Sequence, residues 1–215
     1  MYASEVKGQR LTFFVSGKLW GASLVMGDKE TGSEWSHILG ESMAGPLNGE
    51  TLAIIPSAMT TWQAWLEKHP DTTATMIQPT ARDFDSNMLK AHADWFGLGL
   101  VHSGKARFWR FDYLTQQPLV NEEFADIPVV VHFDSESQTP IAWSRRVNEK
   151  VLAFRANAQG VQDEGTESTW DLQSGLAKAG PLKGTRLEAL PAIVSFTRSW
   201  QRFHPETTVW KPDAK

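Results

Sequence analysis

Cysteine is absent from all 215 residues, which excludes disulfides, thiolate nucleophiles and thiolate metal ligands within this chain. A basic excess is absent too: 21 Lys and Arg stand against 25 Asp and Glu, for a net charge of −4 and a pI near 5.9. That balance offers nothing to track a phosphate backbone, so no nucleic-acid partner is expected. No apolar run reaches the roughly 18 residues of a membrane-spanning helix, and Met1 to Arg10 is too polar to read as a signal peptide. The 6 histidines include no pair at the i, i+4 spacing of a helical zinc site, and Gly97-Leu98-Gly99 lacks the third glycine of a dinucleotide fingerprint. Gly104-Lys105 is not a phosphate-binding loop, and no Gly-x-Ser-x-Gly elbow is present. Neither metal nor cofactor is therefore expected.

Tyrosine is scarce at 2, whereas tryptophan is plentiful at 10. Each indole can bury roughly 150–250 Å², and the reading favoured here is core packing rather than a ligand-stacking surface. The indoles also mark an internal repeat. Residues 33–72 laid without gaps over 168–207 match at 14 of 40 positions. Ser33, Trp35 and Gly40 meet Ser168, Trp170 and Gly175. Ala44-Gly45-Pro46-Leu47 meets Ala179-Gly180-Pro181-Leu182, and Gly49, Leu52 and Pro56 meet Gly184, Leu187 and Pro191. Trp65, His69-Pro70 and Thr72 meet Trp200, His204-Pro205 and Thr207.

The shared stretch reads as a strand ending near Trp35, a Gly-Pro turn, strands over 51–55 and 185–190, and a helix. Helices are expected from about Ser57 to His69 and from Ala192 to His204. Trp62, Trp65, Leu66 and His69 fall at i, i+3, i+4 and i+7, on one helical face. Ser57 or Thr60 suits the N-cap. His69 and His204 suit the last turn, before a proline that stops the helix. Trp65 and Trp200 are both expected to be buried.

Before this stretch the copies differ. Leu11 to Phe13 matches Leu152 to Phe154. The first copy has a longer insert, 16–32, where the second has a shorter acidic loop, 159–167. Asp28, Glu30 and Glu34 read as a solvated hairpin tip, as does Asp163-Glu164. The second copy carries a hairpin over 96–112, an apolar strand over 127–133 and a partner at 139–143; of these only the last is matched in the first copy, by Met1 to Val6. The fold class is mostly β (α+β): two tandem repeats of a small barrel- or sandwich-like β unit, each ending in one helix. The expected bounds are 1–80 for a first repeat shortened at its front, 81–94 for a linker and 95–215 for the fuller second repeat. A first repeat without that front should expose a strand edge and apolar surface around Leu11, Phe13 and Phe14, which invites self-association.

The string Asp28-Lys29-Glu30-Thr31-Gly32-Ser33, then Trp35-Ser36, follows Leu11-Thr12-Phe13 and Leu24-Val25-Met26. With Ala44 to Leu47 and His69-Pro70-Asp71-Thr72, it resembles the bacterial family known as domain of unknown function 3179. Val120-Asn121-Glu122 and Ile127 to Val131 are similar to that family's C-terminal half. The resemblance implies a Cys-Pro-Leu-Cys motif, sometimes with selenocysteine, just ahead of the segment matching Met1 to Val6, and export to the periplasm or beyond. Gly21, Ala22, Ser23 and Gly27 stand where members tend to carry Asn, Ser, Asn and Tyr. A binding site is expected in the first copy around Ser16, Trp20, Ser23, Asp28 and Trp35, where the long insert and the family-like string coincide. The expected role is binding or interaction without catalysis, toward a small molecule or a protein. The alternative is a fragment of a thiol- or selenol-based redox enzyme whose motif lies upstream of Met1.

Overall fold

A computed structural model describes residues 1–75, 88–158 and 160–212. The chain is mostly β, in several small sheets. Its first half opens with β1 (Glu5–Val6) and β2 (Gln9–Arg10), paired through a turn at Lys7-Gly8. A four-stranded antiparallel sheet follows, built in sequence order from β3 (Phe13–Trp20), β4 (Ser23–Asp28), β5 (Glu34–Ser36) and β6 (Ser42–Ala44). Helix α1 (Trp62–Lys68) comes next.

The second half begins with α2 (Met88–Ala91) and a 3₁₀ turn (Ala93–Trp95). The hairpin β7 (Phe96–His102) and β8 (Lys105–Arg110) and helix α3 (Phe111–Gln116) lead into three antiparallel strands. These are β9 (Leu119–Phe124), β10 (Ile127–Asp134) and β11 (Thr139–Ser144), with β10 in the middle. The pair β12 (Arg146–Val147) and β13 (Lys150–Val151) precedes a second four-stranded sheet. That sheet runs in order through β14 (Phe154–Asn157), β15 (Gly160–Asp163), β16 (Thr169–Asp171) and β17 (Leu176–Ala179). Strand β18 (Ile193–Phe196), helix α4 (Thr197–Phe203) and β19 (Thr208–Trp210) end the described chain. β18 joins β7 antiparallel and β19 joins β8 parallel, so β18-α4-β19 is a crossover over the β7–β8 hairpin.

The two four-stranded sheets have the same strand order and matching cores. Val6, Leu11, Trp35 and Leu52 cluster in the first; Val147, Leu152, Trp170 and Leu187 occur together in the second. Phe13 meets Trp35 edge-on at 5.7 Å, as Phe154 meets Trp170. Tyr2 packs against Gly40 in the first and Trp143 against Gly175 in the second, where a Cβ would collide with the ring. The largest core lies in the second half, where Trp109, Phe111, Leu114, Val129, Val131 and Phe133 pack between the β7–β8 hairpin, α3 and β10.

Several expectations need correction. No barrel closes among the described residues, whose strands form separate sheets of two to four strands. The strands expected over 51–55 and 185–190 are single bridges, Glu41 to Thr51, Tyr2 to Ile54, Leu176 to Arg186 and Trp143 to Ala189. The helices are shorter than the apolar pattern suggests. α1 starts at Trp62 because Thr61, not Ser57 or Thr60, caps it by accepting the Ala64 amide at 3.3 Å. The residues before α4 are drawn into β18 by their pairing with β7. His69 and His204 do close their helices, each backbone N–H donating to the tryptophan carbonyl four residues earlier. Of the expected linker, 81–87 lie outside the described residues.

Candidate functional site

The turn after β4 is the densest polar arrangement in the first half. Asp28 is 1% exposed. Its Oδ1 accepts the Thr31 amide at 2.6 Å and its Oδ2 the Trp35 indole N–H at 2.9 Å. The Thr31 hydroxyl lies 2.8 Å from both carboxylate oxygens and 2.7 Å from Ser33 Oγ, which accepts the Leu47 amide at 3.1 Å. Gly45 sits so close to Ser33 that a Cβ would fall 2.7 Å from the Ser33 Cα. Every partner recurs 135 residues later. Asp163, 0% exposed, accepts from the Thr166 amide at 2.6 Å and the Trp170 indole at 3.0 Å; Ser168 Oγ accepts the Leu182 amide at 3.0 Å.

Burial by itself would push the Asp28 and Asp163 carboxyls up, but the indole, amide and hydroxyl donors outweigh it and hold both below the usual carboxylate value. The lone pairs of Asp28 face donors inside its own turn, so its chemistry is that of a fastener. Neither carboxylate belongs to a solvated tip, as the acidic strings alone suggested. Continuing the ungapped match upstream, to Asp28 with Asp163 and Thr31 with Thr166, is the signal that identifies this pair.

The five expected site residues divide. Asp28 and Trp35 are joined by the hydrogen bond above. Ser16 lies where β3 slips register against β4, and its hydroxyl donates to the Val25 carbonyl. Ser23 is buried at the start of β4. Trp20 points away, edge-on to Phe203 at the end of α4, with ring centroids 4.8 Å apart. The small residues of this hairpin have a packing reason. A Cβ on Gly21, which holds a φ of 59°, would come within 2.8 Å of the Phe203 ring, and one on Gly27 within 2.5 Å of the Phe14 ring. Aromatic rings from Phe203 and Phe14 fill the space that side chains there would take.

A second polar cluster lies where α1 meets the second half. Lys68 donates to Gln173 Oε1 at 2.8 Å and sits 3.9 Å from Asp171, which Lys178 approaches at 3.8 Å. Gln173 also donates to Asp134. His132 is mostly buried, its Nδ1 lacks a partner, and burial lowers its pKa against the pull of Asp134 and Asp171. Thr139 donates to Thr60 at 2.8 Å nearby. A cavity of about 130 Å³ lined by Pro56, Ser57, Pro140, Trp143 and Gln173 adjoins this cluster. The carboxylates here are engaged by amides, hydroxyls and lysines, an arrangement that fastens surfaces. A larger cleft of about 410 Å³ opens in the second half beside Asn148, Lys150, Leu152, Thr166 and Leu182. Among the described residues, no group of three or more His, Asp or Glu is placed to hold a metal ion. No helix among them is long and apolar enough to cross a membrane.

Sequence reasoning missed the feature that most separates the two halves. The Trp65 indole donates to Thr72 Oγ1 at 2.9 Å and the ring contacts His69 at 4.0 Å; Trp200 does the same with Thr207 at 2.9 Å and His204 at 4.2 Å. Yet Trp200 is 1% exposed, whereas Trp65 is 41% and Trp62 50% exposed. The expectation that both equivalent indoles are buried holds for Trp200 alone. Trp200 lies over Gly99, where a Cβ would strike the ring, and stacks on Phe108 at 5.5 Å. α1 buries none of its residues. Periodicity assigns a face to a helix but does not say what will cover it.

No curated protein and no solved structure matches the chain. A family model does, over two overlapping segments, residues 1–94 and 78–207. Nearly the whole described chain, including both Asp-Thr-Ser-Trp turns and both Trp-His-Thr helices, falls within those bounds, and the chain belongs to the family described as Protein of unknown function (DUF3179).

Proposed function

We propose that this chain is an interaction module of two related β units, residues 1–80 and 95–215, and that it binds another polypeptide through the aromatic face of α1. The duplication is supported by the hydrogen bonds that recur at an offset of 135 and by the two segments over which the family model matches. The observation that carries the binding reading is the bare face of α1. A helix of 7 residues with no buried side chain has little to hold it in water, because short helices draw most of their stability from packing. Large aromatics left open on such a helix are the usual marks of a contact surface. The β3–β4 hairpin is less favoured, since Asp28 and Trp35 satisfy each other and Trp20 rests on Phe203. With no cysteine in the chain, thiol chemistry is not part of this reading.

The test is a photo-crosslinking residue in place of Trp62 in the full chain, expressed in its native cells, with the same residue in place of exposed Lys183 as the control. A discrete polypeptide adduct from position 62 and none from position 183 is expected. Adducts no more abundant from 62 than from 183 would end the reading.

A further inference from the structure

We infer that the cleft beside the β12–β13 hairpin is a binding site for a small aliphatic zwitterion, an α-amino acid of the leucine type. This goes beyond the α1 reading and does not depend on it.

The floor of the cleft is apolar. Val147 and Leu152 belong to the second unit's core, and Leu182 of the Gly-Pro turn packs against that core. At about 410 Å³ the space falls within the roughly 300–1,000 Å³ of small-molecule sites. No aromatic ring lines it, so it offers aliphatic contact rather than stacking.

The rim carries both signs of charge. Asn148, Glu149 and Lys150 follow one another around the hairpin turn and line the opening. Lys150 stands directly opposite Val147, so the two side chains share a face of the hairpin. Val147 turns that face to the core, which hangs the Lys150 ammonium over the apolar floor. Among the described residues, neither Glu149 nor Lys150 makes an ion pair.

The first unit shows that the fold does not require this opening. On the match of Leu11 with Leu152, Val6 takes the place of Val147 and Lys7 that of Asn148. Lys7 reaches from the β1–β2 turn to Glu50 at 2.6 Å, which ties that turn to the Gly-Pro turn. In the second unit Thr185 stands where Glu50 does, and no ion pair joins it to Asn148. Gly8 and Gln9 hold the places of Glu149 and Lys150. The second unit has thus exchanged a bridge for a gap with two opposite charges at its edge.

The donor set chooses among ligands. Glu149 is the single carboxylate lining the cleft, too few for a metal ion. Lys150 is the single cation there, too few to hold a polyphosphate. The Thr166 hydroxyl is committed to Asp163 and Ser168, so it supplies no nucleophile and the cleft binds without reacting. One carboxylate, one ammonium and an aliphatic floor complement a ligand with one charge of each sign and a branched aliphatic body. Its carboxylate meets Lys150, its ammonium meets Glu149, and its side chain lies on Val147, Leu152 and Leu182.

L-Leucine is the probe, titrated into the full-length protein by calorimetry, with amide hydrogen exchange read over residues 147–152. Saturable binding with slower exchange there is expected. Isocaproate, which lacks the ammonium, and isoamylamine, which lacks the carboxylate, should each bind at least tenfold more weakly. Glu149 and Lys150 are exposed, so Glu149→Ala and Lys150→Ala leave the core intact, and each should weaken leucine at least tenfold. The double variant Asn148→Lys with Thr185→Glu copies the first unit's bridge across the cleft. It should abolish binding while circular dichroism shows the fold unchanged. Absence of saturable leucine binding overturns the proposal, as does an affinity for isocaproate equal to that for leucine. Binding that survives the bridge places leucine elsewhere on the molecule and overturns it too.

Discussion

Trp65 and Trp200 have the same indole hydrogen bond, the same imidazole beside the ring and the same proline after the helix, yet one is open and the other sealed. The difference lies outside the shared residues. Trp200 lies over Gly99 of β7 and stacks on Phe108 of β8. Local sequence sets the helix and its caps, whereas burial is decided by a strand pair about a hundred residues away.

The sharpest way to break that comparison is to truncate both indoles. Trp200→Ala should cost about 3–5 kcal/mol, as removal of a fully buried tryptophan does. For a chain of this length that lowers the melting temperature by roughly 6–20 °C. Trp65→Ala should cost about 1 kcal/mol or less in the free protein. Calorimetric melts of the two variants decide the matter, and equal losses would mean that α1 is covered in solution.

How much of this was legible in sequence follows the same division. The Gly-Pro turns were readable because Gly45 and Gly180 hold φ of 94° and 90°, and Gly49 and Gly184 hold 86° and 88°, a region that L side chains rarely adopt. The helix ends were readable because proline follows them. The strand edges near Leu11, Phe13 and Phe14 were readable only in part: Leu11 is buried, while Phe14 and Val15 are exposed. The expected pairing of β10 with the segment 139–143 is found in β11, while β9, on its other side, was not foreseen as its partner. Asp28 and Asp163 were obscured because an acidic, glycine-bearing string looks like a solvated turn; only the geometry shows the carboxylate turned inward.

Those two carboxylates sharpen the comparison from the opposite side, because here the units should behave alike. Asp28→Ala and Asp163→Ala each leave a buried indole N–H and a turn amide without their acceptor, at about 2–3 kcal/mol apiece. The pH dependence should match as well. Both folded-state pKa values lie below the ordinary 3.8, so the unfolded chain takes up protons first as pH falls. The stabilisation from each is complete above the unfolded value and is lost as pH drops through the folded one. Burial lowers His204 and His37 below 6.5, and by the same rule their contribution is present above that value and declines below it. Stability measured by denaturant from pH 7 to pH 2 should therefore fall in two stages, and Asp28→Ala and Asp163→Ala should each flatten the lower one. An unchanged lower stage in either variant would separate the two turns.

The smallest expected effect concerns the edge of each four-stranded sheet. Asn121 projects from β9 to β14, where its Nδ2 donates to the Phe154 carbonyl and its Oδ1 accepts the Phe154 amide, both at 2.8 Å. One side-chain amide thus imitates a residue of a pairing strand, which is how a family-like Asn between Val120 and Glu122 earns its place on an otherwise open edge. At the corresponding edge of the first unit, the Thr12 amide is met instead by Glu30 Oε2 at 2.6 Å, from the exposed side of the turn. Asn121→Ala removes both bonds and leaves the buried Phe154 without its amide partner, for about 1–2 kcal/mol. Hydrogen exchange offers the more direct reading, because a local opening shows at the amide concerned before it shows in global stability. The Phe154 amide should exchange faster in Asn121→Ala while Thr12 and Phe13 keep their rates. If Phe154 stays protected, its edge is held by the strands themselves, and the clamp from β9 is not what distinguishes the closed unit from the open one.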